Sequence, residues 1–277
     1  MPRCFVSASV FLLALLLAVG CTSAPEPRPR TESATAGRLR QELQRQSRAA
    51  PHHRRAMEFF RDGGFSDPAR AREHLDKALA EDPDDPRILL HRAVARNQLG
   101  ETDGALADLG RALELNPEMP DAMLLKGMML QAKGSHQEAI AAFHRALDLD
   151  PQYVTAWDGI GTSYGALGRY GEADAAFTQA LSMAPASKIV YLHRALARSL
   201  DGRRSAALAD LTIAVGLSPG DGAVFRERAR LRLDAGDHAG AIADLEQARE
   251  LLPGDSASRL LLAQVLASTG DAALANP

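Results

Sequence analysis

Cysteine is nearly absent from this chain of 277 residues: there are two, Cys4 and Cys21, both near the N-terminus. That excludes a disulfide scaffold and a cysteine-rich metal site from everything beyond residue 21. Aromatic residues are also scarce, at 5% with a single Trp, although hydrophobic residues reach 46%. The apolar content is therefore mostly Ala and Leu, which favours closely packed helices over strands. A basic excess is missing too. The formal net charge is −3, with 24% charged residues, which argues against a basic nucleic-acid binder and against a generally disordered chain. The one long apolar stretch, Phe5–Val19, is 15 residues, short of the roughly 20 that a bilayer-crossing helix needs.

That stretch follows the positively charged start Met1-Pro2-Arg3 and ends in Leu17-Ala18-Val19-Gly20-Cys21. Its length and flank fit the apolar core of a secretory signal peptide. Its end resembles a bacterial lipobox, with Ala18 where Leu is commonest. By that resemblance residues 1–20 are cut away, the Cys21 thiol receives a diacylglyceryl group, and the new amino terminus is acylated (palmitate). Stable anchoring needs two lipid signals, each buried CH₂ contributing about 0.8 kcal/mol, and a triacylated Cys21 satisfies this. Thr22 stands where many inner-membrane lipoproteins carry Asp, so the resemblance implies the outer membrane, facing the periplasm.

Residues 21–51 then read as the lipidated Cys and a flexible basic tether, rich in Pro, Ser, Thr and Ala. Between residues 22 and 55 there are eight Arg and three Glu, a net charge of +5; with Arg3 set aside as well, residues 56–277 carry −9. Such a segment could touch anionic headgroups or serve as a plain spacer. Within it, Arg38–Ala49 is expected to form a short helix that ends at Pro51.

The remainder is periodic. Pro83, Pro117, Pro151, Pro185, Pro219 and Pro253 are each 34 residues apart. The same spacing separates Ala71, Ala105, Ala139, Ala173, Ala207 and Ala241, and again Ala78, Ala112, Ala146, Ala180, Ala214 and Ala248. Gly100, Gly134, Gly168, Gly202, Gly236 and Gly270 form a fourth register, and Leu75, Leu109, Phe143, Phe177, Leu211 and Leu245 a fifth. Chance does not align five such series. The pattern describes a helix, a tight turn at Gly and a second helix ended by Pro, which can neither donate a hydrogen bond nor continue the spiral. One such pair cannot bury its apolar face alone, so pairs must stack.

A 34-residue unit with these residues resembles the tetratricopeptide repeat. Residues 154–187 match best, with Trp157, Ile160, Gly161, Tyr164, Gly168, Tyr170, Ala173, Phe177, Ala180 and Pro185 at signature positions. The resemblance implies an all-α fold, a right-handed superhelix or α-solenoid. It comprises six units over residues 52–255, the first degenerate at Gly63-Gly64, Ser66 and Pro68. Residues 256–277 follow as a capping helix, Ser256–Thr269, and a stub, Asp271–Ala275.

In such folds the first helix of each unit lines a concave groove. Carried onto this chain, the groove positions are Arg87, Leu90, His91, Val94 and Asn97, then Asp121, Leu124, Leu125, Met128 and Gln131. Asp158, Thr162 and Gly165 follow, then Leu192, His193, Leu196 and Ser199, and finally Arg226, Arg230 and Leu233. The groove reads as apolar early, small and polar in the middle, and basic late. It would accept an extended or helical segment of another protein, with Met128 supplying adaptable packing. Lys and Asn are missing at the positions where chaperone-binding repeats clamp a terminal carboxylate: Leu90, Leu124, Asp158, Leu192 and Arg226, and Val94, Met128, Thr162, Leu196 and Arg230. That activity is not expected.

Catalysis has little support. Gly161-Thr162-Ser163-Tyr164-Gly165 spells G-x-S-x-G, yet the motif requires a strand, a strained turn and a helix, and here it falls inside a repeat helix. No metal or cofactor motif occurs, and His91 and His193 are too far apart in the array to share a metal. Leu260-Leu261-Leu262 and Val265-Leu266 suggest an exposed apolar patch on the last helix, suited to a homodimer or partner contact. The expectation is a non-catalytic scaffold or adaptor, anchored in the bacterial envelope, with protein partners, no nucleic acid and no cofactor. The layout of lipid anchor plus about six repeats is similar to the type IV pilus pilotins, which assist secretin assembly, and to NlpI-like adaptors. An envelope enzyme is the remote alternative.

Overall fold

The computed structural model describes residues 34–269. The stretch expected to be a signal peptide, Cys21, the first part of the expected tether and the expected C-terminal stub lie outside the described residues. Two compact units divide the chain, Met1–Gln44 and Arg45–Pro277. Of the first, the described part is the opening of helix α1 (Ala34–Met57), where Leu39 and Leu43 are exposed. The second holds the rest of α1, a short hairpin of β1 (Phe60–Arg61) and β2 (Gly64–Phe65), and a run of paired helices.

α1 corrects two expectations. The tether is helical from Ala34 onward, and the helix runs through Pro51 rather than ending there. An interior proline costs about 3 kcal/mol or more, since it lacks an N–H and crowds the preceding turn. Here burial of Ala49 and Ala56 in the core offsets that cost. The hairpin explains the degenerate first unit. Asp62 and Gly63 both take positive φ, 51° and 80°, as a two-residue type I′ turn requires. Gln98 caps the hairpin: its Oε1 accepts from the Phe65 N–H at 2.7 Å and its Nε2 donates to the Phe65 carbonyl at 3.2 Å.

The helices follow the 34-residue period: α2 (Pro68–Glu81), α3 (Pro86–Gln98), α4 (Thr102–Leu115), α5 (Pro120–Ala132), α6 (His136–Leu149), α7 (Val154–Ala166), α8 (Tyr170–Met183), α9 (Lys188–Leu200), α10 (Arg204–Leu217), α11 (Gly222–Asp234), α12 (His238–Leu251) and α13 (Ser256–Thr269). Each turn glycine from Gly100 to Gly236 has φ between 73° and 80°, a region where a Cβ is strained. Each residue before a closing Pro, from Asp82 to Leu252, has ψ between 69° and 100°. A following proline disfavours the α region there, so each second helix stops. The twelve alanines of the two alanine registers are all fully buried, which lets neighbouring helices approach closely.

The five full units are of two kinds. In units 120–153 and 154–187 a Phe packs onto a Gly of the first helix: a Cβ on Gly127 would lie 2.6 Å from the Phe143 ring, and one on Gly161 2.6 Å from Phe177. In the other three units the same places hold Leu109 with Ala93, Leu211 with Ala195 and Leu245 with Ala229, all buried. Those three also carry a charge cluster. Asp108 accepts from Arg92 and Arg96, Asp210 from Arg194 and Arg198, and Asp244 from Arg228 with Arg232 ion-paired beside it, all at 2.7 to 3.0 Å. Each aspartate is buried in the second helix, and both arginines come from the first.

The capping helix covers more of itself than its sequence suggests. Leu262, Val265 and Leu266 are buried with Ala229, Ala241 and Leu245, and Leu261 packs beside them. Of the five apolar residues read as a patch, only Leu260 is exposed. The patch expected on that helix shrinks to exposed Leu260 with partly covered Leu261 beside it.

Candidate binding groove

The first helices of successive pairs touch one another: α3 with α5, α5 with α7, α7 with α9. Their shared face carries the residues expected to line the groove, and they differ in how free they are. Leu90, Val94 and Leu125 are half-buried against one core cluster, and Leu124 against the next. The early groove is therefore less apolar at its surface than the sequence implies, because these side chains fill gaps between helices. Arg87 and Asn97 are exposed, Arg87 bonding to Asp85. Met128 is exposed, and the Gln131 amide donates to the Gly159 carbonyl at 3.4 Å.

His91 does not line open surface. Its Nδ1 lies 2.8 Å from Nε2 of His53 on α1, and the Phe60 ring meets it edge-on at 5.7 Å. Burial, then the neighbouring His53 charge, pushes the His91 imidazole down to about 4, against the partial attraction of Asp85. His53 is lowered as well, chiefly by burial. Both rings are therefore favoured neutral in the fold, sharing one N–H. The open chain binds the extra protons, so this contribution is present above about pH 6.5 and is lost progressively as the pH falls towards 4. The stability difference between wild type and His91→Gln should accordingly shrink over that interval in thermal melts. A difference that stays constant would show that the pair does not titrate with folding.

Within the groove, α9 carries three exposed apolar side chains on one face. Ile189, Leu196 and Leu200 are each more than half exposed, Leu196 at 59%. At spacings of seven and four residues they form one stripe. Clefts flank it on both sides. Towards α7 a cleft of about 310 Å³ is walled by Gly161, Thr162, Gly165, Ala166 and Leu200 over the Phe177 ring. Towards α11 one of about 300 Å³ is walled by Leu192, Ser199, Leu211, Glu227, Arg230 and Asp234. His193 and Leu196 border both.

The polar groups here are mostly paired with each other. His193 Nδ1 lies 2.8 Å from Asp158 Oδ1, and this bond raises the imidazole above its ordinary value despite burial. Thr162 donates to the Asp158 carbonyl at 2.9 Å, and Arg226 bonds Asp255 at 2.7 Å. The structure thus brings together Asp158, Thr162, Leu192, His193, Leu196 and Arg230. It leaves Arg87, Leu90, His91, Val94 and Asn97 at a separate end, on α3. Sequence reasoning missed Ile189 and Leu200, which stand at further positions of the same helix face, and it missed His53 altogether.

The serine of the G-x-S-x-G string, Ser163, is fully buried within α7, and its hydroxyl has no hydrogen-bond partner. A buried serine in a helix interior does not form the exposed turn that a nucleophile elbow needs.

Two family profiles, both described as Tetratricopeptide repeat, match the chain, one at residues 98–154 and 159–222 and the other at 64–107 and 232–275. The chain belongs to the tetratricopeptide repeat family. Solved structures agree on the fold. Pseudomonas aeruginosa pilF aligns with a TM-score of 0.65 at 18% identity, covering 79% of this chain and 99% of that one. A tetratricopeptide repeat protein from Parabacteroides merdae gives 0.57 at 23% identity, covering 83% and 89%. YrrB, described as a TPR protein with an unusual peptide-binding site, gives 0.56 at 20% identity, covering 68% and 96%. No curated protein matches the chain. Repeats of this family support a role in holding proteins together, and the α9 section offers a stripe of exposed apolar side chains between two clefts.

Proposed function

We propose that this protein is a non-catalytic adaptor of the bacterial envelope, anchored through lipidated Cys21 at the outer membrane and facing the periplasm. It binds a segment of a partner protein in the groove around α9. The observation that carries the binding role is the exposed stripe Ile189, Leu196 and Leu200 with a cleft on either side. Exposed apolar surface of this kind marks interaction sites, and the peptide-binding site described for YrrB fits the same use of the fold. The anchor rests on the signal-like stretch and the lipobox-like ending at Cys21. A narrower role as a type IV pilus pilotin shares this layout of lipid anchor and repeats, and its partner would then be a secretin.

Affinity capture from solubilised bacterial membranes tests the reading. Wild type should recover a partner that Leu196→Glu recovers at least about tenfold less, a loss of about 1.4 kcal/mol. Leu196 is preferred to Leu124 because it is exposed, so a charge there leaves the core intact. In the same preparation Cys21→Ser should leave the membrane fraction or accumulate at precursor size. Equal capture by Leu196→Glu would remove the groove, and unchanged size and fractionation of Cys21→Ser would remove the anchor.

A further inference from the structure

The array itself shows what one of its clefts is shaped to hold. In unit 188–221 the Arg194 guanidinium lies 5.5 Å from the centre of the Tyr191 ring, donates to Asp210, and reaches the Thr178 hydroxyl of the preceding helix at 3.0 Å. In unit 222–255 Arg228 repeats this, 5.6 Å from the Phe225 ring and donating to Asp244. Unit 154–187 builds the same seat without the arginine. Trp157 stands at the place of Tyr191, Ile160 at that of Arg194, Ala176 at that of Asp210 and His144 at that of Thr178, each 34 residues earlier. Isoleucine has no guanidinium and alanine no carboxylate, and the space those groups take in the other units is here a surface cleft of about 240 Å³. Trp157, Ile160, Tyr164 and Ala176 wall it, and His144 and Glu172 edge it. It lies between α6, α7 and α8 and shares no lining residue with the two clefts beside α9.

We propose that this cleft takes an arginine side chain of a partner protein, in the seat that Arg194 and Arg228 fill from within. Trp is the ring on which a cation rests best, better than the Tyr and Phe of the other two units. The missing aspartate has a counterpart in Glu172, half exposed at the rim. Glu172 already accepts from Arg169 Nε at 2.6 Å, and Arg169 lies 4.6 Å from the centre of the Tyr164 ring. A second guanidinium there would place one carboxylate between two arginines. Asp108, Asp210 and Asp244 each make that arrangement. Lysine has neither the flat group that lies along an indole nor the forked donors that share a carboxylate. An apolar side chain would fill the volume and leave Glu172 unused. The site depends neither on the α9 groove nor on the lipid anchor.

Trp157 is the single Trp of the chain, so tryptophan fluorescence of the full chain reports on this cleft directly. The probes are acetyl-Gly-Arg-Gly-amide and the same peptide with Lys or norleucine in place of Arg, titrated into the millimolar range. The Arg peptide should change the emission saturably and bind about threefold or more tightly than either of the others. Ile160→Arg combined with Ala176→Asp rebuilds from within the pair that unit 188–221 holds at Arg194 and Asp210. It should abolish the response while the melting temperature stays near that of wild type. Glu172→Gln changes only an exposed side chain. It should weaken the Arg peptide about threefold or more and leave the norleucine peptide unaffected. No saturable response to the Arg peptide would overturn the proposal. So would equal binding of the norleucine peptide, which makes the cleft a plain apolar hollow, or of the Lys peptide, which makes it a seat for any cation. A response to the Arg peptide that is unchanged by Glu172→Gln and by the filled cleft would also overturn it.

Discussion

Replacing Asp210 with Ala should cost about 3–5 kcal/mol, the usual loss when one side of a buried ion pair is removed. The Asp210 side chain is 2% exposed and receives three bonds from two arginines: Arg194 through Nε at 3.0 Å and Nη2 at 2.8 Å, and Arg198 through Nη1 at 2.8 Å. Those arginines are themselves largely buried, so Ala leaves two guanidiniums short of their common acceptor. Arg198 keeps Asp174 at 2.7 Å and Arg194 keeps the Thr178 hydroxyl at 3.0 Å, both from the preceding unit. The cluster thus also ties one unit to the next, and Asp210→Ala should loosen that junction as well as the α9–α10 pair. Urea unfolding should show it, with hydrogen exchange rising first in α9 and α10, since repeat arrays open in parts. A loss under about 1 kcal/mol would mean that the arginines find solvent or other partners unaided. Unit 154–187 supplies the rescue. At the places of Arg194, Arg198 and Asp210 it holds Ile160, Tyr164 and Ala176, with no charge. Arg194→Ile, Arg198→Tyr and Asp210→Ala together should recover most of the loss, because apolar replacement of a complete buried cluster is often neutral or favourable. The recovery should stop near wild type. The apolar version in unit 154–187 leaves a surface cleft of about 240 Å³ beside Trp157, Tyr164 and Glu172.

Why that cluster escaped the sequence reading is instructive about what such patterns carry. Alanine, glycine and proline registers are legible because each residue type has one structural use at its place: close approach, positive φ, or helix arrest. Those registers placed the paired helices and set the capping helix at Ser256–Thr269. Arginine and aspartate have no such single use. On a helix they are most often solvated, and nothing in the spacing of Arg92, Arg194 and Arg228 says that they are turned inward. The hairpin was hidden for a similar reason. Asp62-Gly63 is a strong two-residue turn signal, but beside Gly64 it passed as decay of the repeat. Pro51 misled in the other direction, since a helix packed by Ala49 and Ala56 tolerates a break that an isolated one would not. As for the groove, the period identifies which face of each first helix is shared. It does not say which residues on that face are covered by the next helix, and this is why Leu124 and Leu125 read like Leu196 in the sequence and differ in the structure.

Truncating Phe143 to Ala should be as damaging as losing Asp210, about 3–5 kcal/mol for a fully buried phenyl ring. Phe143 is 0% exposed. Its ring lies between Gly127 of its own unit and Gly159 of the next, where Cβ atoms would come within 2.6 Å and 2.5 Å of it. The ring therefore fills space that two glycines leave open, and Ala would leave a void shared by two units. Unfolding should split towards two transitions as coupling between neighbours weakens. Gly127→Ala attacks the same contact from the other side. A helical Gly→Ala change gains up to about 1 kcal/mol in propensity, but here overpacking against the ring costs about 1–3 kcal/mol, so the net effect should be destabilising. The chain contains the compatible pair three times: Leu109 with Ala93, Leu211 with Ala195, and Leu245 with Ala229. Combining Phe143→Leu with Gly127→Ala rebuilds it. The double variant should be more stable than the sum of the single changes by about 0.5–3 kcal/mol, the range for residues in contact. Four urea unfolding curves measure that coupling. Strict additivity would mean that Gly127 is small for some reason other than Phe143, and that the two kinds of unit do not differ by a compensated pair.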